Sequence, residues 1–169
     1  MKNKNELVNI NSIPQIQSFS KELKKFIVEQ DLYSDIQGKN YAHVEGWQFA
    51  GAALGLTAIV KKVKDLSNEK EIKYRAEVEV LNLKNNQLIS TGVAICSNKE
   101  PHRKNADEYV IISMAQTRAI GKAFRNKFAF IMKMAGYEAS PWEEVVNSKV
   151  NEINDLPTPK SKIKRGKKK

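Results

Sequence analysis

Apolar residues change their spacing twice along this chain, and each change marks a new kind of element. Ile16, Phe19, Leu23, Phe26 and Ile27 recur at helical intervals, which predicts a helix from Ile13 to about Glu29. Ser12 stands in the N-cap position and Pro14 in the first turn. Asp31 to Tyr41 contains Gly38 and turn formers and reads as a loop. A second, short helix is predicted from His43 to Leu54, with Gly55 ending it. The period then falls to two. Thr57–Leu66, Lys73–Leu81 and Leu88–Ser97 read as strands, separated by the polar turns Ser67–Lys70 and Lys84–Asn86. In the middle strand Tyr74, Ala76, Val78 and Val80 share one face, and Lys73, Arg75, Glu77 and Glu79 share the other. After a polar loop the helical period returns over about Asp107–Ala135, stopped by Gly136. Ser140–Glu144 reads as a short helical turn with Ser140 as cap and Pro141 at the first position.

The order α-α-β-β-β-α predicts an α+β fold. A three-stranded antiparallel β-meander packs on the long C-terminal helix, with the N-terminal helices beside it. Residues 1–12 read as a flexible arm, 13–148 as one domain and 149–169 as a disordered tail. One helix covers one sheet face only, and both sheet edges stay open, so self-association is a secondary expectation.

Charge sharpens this outline. The chain has 169 residues and a formal net charge of +10. Lys160–Lys169 holds seven basic residues and no acid, and removing those seven leaves only +3 for residues 1–159. The tail reads as an electrostatic tether, and cations of the folded body must cluster to act together. Arg118, Lys122 and Arg125 do so on the long helix, falling within about 60° of one another at 100° per residue. Ile112, Ala119, Ile120, Ala123, Phe124, Phe128 and Ile131 fall on the other side. No acid lies between Glu108 and Glu138, and Lys127 and Lys133 extend the bias. The row is therefore read as a polyanion track, against the alternative of a solvated helix face. Lys61, Lys62, Lys64, Lys70, Lys73 and Arg75 form a second cluster on the first two strands. Tyr41 and Trp47 are candidates to stack on bases, whereas Phe49 and Tyr74 are assigned to the core.

Other chemistry has less support. The single cysteine, Cys96, excludes an internal disulfide. No zinc spacing of Cys or His and no phosphate-binding GxxxxGK[ST] loop occurs, so no cofactor, metal or ATP hydrolysis is expected. Asp65, Glu71 and Lys73 are the one constellation suggesting a metal-dependent nuclease. The N-terminus lacks a signal-peptide pattern, and no apolar run approaches membrane-spanning length. A cytoplasmic protein without membrane contact is the expectation.

Three segments together resemble the single-strand annealing recombinases of the Rad-fifty-two-like superfamily. GKNYAHVEGWQFAGAALGL (Gly38–Leu56) looks like the family's helix before its hairpin. YRAEVEVLNLKNNQLISTGVAIC (Tyr74–Cys96) looks like its paired strands. AQTRAIGKAFRNKFAFIMKMAGYE (Ala115–Glu138) is similar to its long helix, with Lys122, Ala123, Phe124 and Arg125 matching its basic–Ala–apolar–Arg order. The resemblance spans about residues 38–138. It implies ATP-independent annealing of complementary DNA strands by a non-enzymatic homo-oligomer, a ring or a filament. It further implies that Lys122 and Arg125 line the DNA groove, to which helix geometry adds Arg118. A single-strand-binding protein is a further partner this reading admits, and a phage origin would place the protein in a bacterial host cell. A double-stranded RNA-binding module shares the α-β-β-β-α order and stands as the alternative.

Overall fold

The structure is a computed structural model that describes residues 12–146. The N-terminal arm up to residue 11 and the basic tail lie outside the described residues. The domain is α+β and begins with helix α1 (Ile13–Glu29). A hairpin of β1 (Tyr33–Ile36) and β2 (Lys39–Ala42) follows, then helix α2 (Val44–Ala53). Strands β3 (Leu56–Asp65), β4 (Lys73–Asn82) and β5 (Leu88–Ser97) form the antiparallel meander, in that order across the sheet. The long helix α3 (Glu108–Ala135) packs on the sheet, and a single turn, α4 (Trp142–Val145), follows it.

The β1–β2 hairpin replaces the loop expected over residues 31–41. Each strand is only four residues long, so no alternation accumulates to reveal it. Its turn is legible in retrospect: Gln37 and Gly38 both adopt positive φ (55° and 77°), as a two-residue hairpin turn requires. The Gly38 amide donates to the Asp35 carboxylate at 3.0 Å. Ser12 is the N-cap of α1 as expected, though without a side-chain hydrogen bond, whereas the cap expected at Ser140 is corrected: Pro141 is the N-cap of α4.

Helix α3 is enclosed on more than one side. The sheet lies against one flank, and α1 and α2 lie against another. Ala115, Ala119 and Ala123 are fully buried, and these small residues let the sheet backbone approach. Phe124, Phe128, Ile131 and Met132 fill the core toward the helices. The core-facing side of the sheet consists of Ala76, Val78 and Val80 on β4 and Ala94 and Cys96 on β5. Burial pushes the Cys96 thiol up from its usual range, so it behaves as a small apolar side chain. Among the described residues no helix is long and apolar enough to cross a membrane.

Tyr74 ends this buried row, and its hydroxyl donates to the Glu108 carboxylate in the first turn of α3. That bond, with burial and nearby acids, pushes the phenol from about 10 to about 12. The folded state holds the proton more tightly than the unfolded chain, so the stabilisation is complete below the unfolded value. It is lost as pH rises through the folded one. Chemical unfolding from pH 9 to about pH 12 should therefore show a steeper loss of stability in the wild type than in Tyr74→Phe, which keeps the contribution of the buried and likewise raised Tyr137 phenol.

Candidate nucleic-acid interface

The α3 cations do not form an open row. Arg118 is 8% exposed and is held by four hydrogen bonds. Its two terminal nitrogens clasp Glu100 at 2.7 and 2.6 Å, one of them also reaches the Ile95 carbonyl at 3.1 Å, and Nε donates to the Glu143 carbonyl at 3.1 Å. Burial alone would raise the Glu100 carboxyl. The Arg118 guanidinium outweighs it and leaves Glu100 below the usual carboxylate range. Arg118 is thus a tie between α3, the end of β5 and α4. Its assignment to a DNA track is corrected.

Arg125 pairs with Glu144 of α4 at 2.6 Å. Lys122 is half-buried beside the same turn, and its charge reaches the Glu144 carboxyl. Lys133, at the exposed end of the helix, pairs with Glu138 at 3.3 Å. The absence of acids between Glu108 and Glu138 holds, but Glu100 and Glu144 arrive from flanking segments and neutralise Arg118 and Arg125 in space.

The two aromatic candidates are also corrected. Trp47 is completely buried, with its indole N–H on the Ala42 carbonyl at 3.3 Å, and Tyr41 is buried in the core. Neither ring is available to stack on a base. Tyr74 is in the core as expected, and Phe49 stacks on Phe26 between α1 and α2.

The strand cations behave differently, because the register gathers all of them on one face. Lys62 sits opposite Glu77 and Lys64 opposite Arg75, while Lys73 and Arg75 alternate with the buried Tyr74 and Ala76. A bulge between Val60 and Lys62 inserts Lys61, whose ion pair with Glu79 at 3.2 Å brings it to the same side. This is the face opposite α3. Its apolar members remain exposed: Ile59 at 44%, Val93 at 40%, Ile95 at 46% and Leu88 at 51%. Among the described residues nothing covers it.

Three of the five cations on this face are ion-paired: Lys61 with Glu79, Lys73 with Glu71 at 2.9 Å, and Arg75 with Glu77. Lys62 and Lys64 are exposed and make no ion pair among the described residues. These pairs still meet solvent and lie at the surface, where such contacts are worth about 1 kcal/mol, so a phosphate can take over their cations at little cost. Lys99, in the loop after β5, adds charge that acts on Glu71 at the same end of the sheet. It was not a sequence candidate because it lies outside the alternating strands.

The nuclease constellation does not assemble. Asp65 accepts the Ser67 amide at 2.7 Å in its own turn, and Glu71 is engaged by Ser97 and Lys73. Among the described residues no group of three or more His, Cys, Asp or Glu side chains gathers as metal ligands. No protein-family model and no curated protein matches this chain.

Proposed function

We propose that this protein binds single-stranded DNA through the open face of its sheet and anneals complementary strands without ATP. The observation that supports this most is the convergence of Lys61, Lys62, Lys64, Lys73 and Arg75 on one uncovered face, with Lys62 and Lys64 unpaired among the described residues. The sequence resemblance over residues 38–138 supplies the annealing activity. The groove differs from the one that resemblance implied, since the helix cations are engaged by acids.

The composition of the face favours backbone contact over base stacking. No aromatic side chain belongs to it among the described residues, so affinity comes from phosphates and binding is sequence-tolerant. A strand held by its phosphates keeps its base edges free to pair, and neutralising the backbone lowers repulsion between two strands. Base pairing then supplies the driving energy and the specificity. The open edges of β3 and β5 suit assembly of several copies, which would extend the face into a longer track.

Fluorescence anisotropy with a labelled oligothymidylate tests the reading. Lys62→Ala with Lys64→Ala should keep the melting temperature, weaken binding by about tenfold, and flatten the salt dependence by about 0.7 per lysine removed. Strand annealing followed by energy transfer between dyes should fall in parallel, and duplex RNA should compete less well than single-stranded DNA. A folded double variant that binds and anneals like the wild type removes this face from consideration. A wild type that binds no oligonucleotide at low salt removes the function.

A further inference from the structure

α4 puts two consecutive carboxylates, Glu143 and Glu144, against the middle of α3, and their environments differ. Glu143 is structural: one side-chain oxygen accepts the Val44 amide at the start of α2 at 3.0 Å, the other is buried without a partner among the described residues, and its carbonyl accepts from Arg118. Before it, Pro141 is buried against α3, where a Cβ on Gly121 would come within 2.9 Å of its ring. Among the described residues Glu144 is hydrogen-bonded by Arg125 alone. Its second oxygen, Oε1, is likewise buried without a hydrogen-bond partner among them. Burial raises its carboxyl even though Arg125, Lys122 and Arg118 all pull the other way. Glu144 is therefore a poorly satisfied anion on a cation whose side chain is still 34% exposed. Arg125 holds that carboxylate through Nη1 alone, whereas a phosphodiester can offer its guanidinium two oxygens at once.

We infer that α4 is a built-in acidic cover, with Glu144 occupying the place of a backbone phosphate at Arg125 and Lys122 until single-stranded DNA displaces it. This rests on the single-strand DNA reading and adds regulation to it: the sheet face engages first, and the α3 cations contribute only when the cover gives way. Pro141, Glu143 and Arg118 anchor one side of the turn, so displacement needs only the Glu144 side to move.

The experiment compares wild type, Glu144→Gln, Glu144→Ala and Lys62→Ala/Lys64→Ala for binding a labelled oligothymidylate across salt concentrations. The alanine variant is included because a glutamine oxygen still accepts a hydrogen bond from Arg125. Both Glu144 variants should melt close to the wild type, bind several-fold more tightly, and show a salt slope steeper by about 0.7 for each cation uncovered. Adding Arg125→Ala to either should cancel the gain. Folded Glu144 variants with wild-type affinity and slope overturn the inference, and so does unfolding of both, which would make Glu144 a structural residue. The two readings separate cleanly. Loss of binding in Lys62→Ala/Lys64→Ala with no gain in the Glu144 variants keeps the sheet face and discards the cover. Binding by the Glu144 variants alone keeps the cover and discards the sheet face. Binding by none discards both.

Discussion

Arg118→Ala should cost about 3 kcal/mol of stability, measured by urea unfolding, because it leaves the half-buried Glu100 carboxylate without its guanidinium. The same substitution also frees the carbonyls of Ile95 and Glu143, so the end of β5 and the α4 turn lose their shared anchor. Arg118→Lys separates this tie from a simple need for charge. Lysine keeps the cation but lacks the planar fork that engages two carboxylate oxygens and two carbonyls together, so it should recover only part of the stability. A DNA-track residue would behave in the opposite way, with alanine folding normally and lysine preserving binding. An Arg118→Ala protein that unfolds at the wild-type urea concentration and loses only DNA affinity would return this arginine to the track.

Arg118 also marks where the sequence stopped being informative. The meander, the long helix and their packing were legible because period two in Lys73–Leu81 and the helical period in Glu108–Ala135 are local signals, and the register follows from which face is apolar. The cation row was legible as a row, and its fate was not. Whether a helix face meets solvent or acids depends on Glu100, 18 residues earlier, and on Glu143 and Glu144, 25 and 19 residues beyond the arginines they engage. No short-range pattern encodes those distances. Trp47 failed as a stacking candidate for a related reason: a tryptophan on a short helix reads the same whether the helix shows it or buries it. The strand cations fared better, since alternation fixes their side of the sheet once the other side is known to be apolar.

The two halves of the candidate interface thus differ in how they are held. On the sheet Lys61, Lys62 and Lys64 are exposed and Lys73 and Arg75 half-buried, their acidic partners are neighbours on the same surface, and exchange for phosphate needs no movement of another element. On α3 the cations are tied to other elements, so any use of them moves part of the fold. This difference makes the sheet face the first point of contact and gives α4 its proposed role.

All of this requires the sheet to lie close against α3, and Gly92→Ala probes that approach with the second large effect. A Cβ on Gly92 would clash with the Ala119 carbonyl and stand 2.5 Å from the Ala123 amide nitrogen and 2.9 Å from its Cβ. These are backbone atoms of a helix interior, so no rotamer change relieves the contact; the helix itself must withdraw. Withdrawal would break the Ser90 hydroxyl to Ala123 carbonyl bond at 2.7 Å and the Asn126 side-chain bond to the Thr91 carbonyl at 2.9 Å. It would also open space beside Val78, the register partner of Gly92. Overpacking against a fixed backbone places the expected loss at about 3 kcal/mol or more, read from urea unfolding. Val93→Ala, one residue on but facing away from α3, should stay within about 0.5 kcal/mol of the wild type. A Gly92→Ala protein as stable as Val93→Ala would mean that the helix stands further from the sheet. The face of β4 and β5 opposite α3 would then have no fixed backing against which its lysines could be aligned.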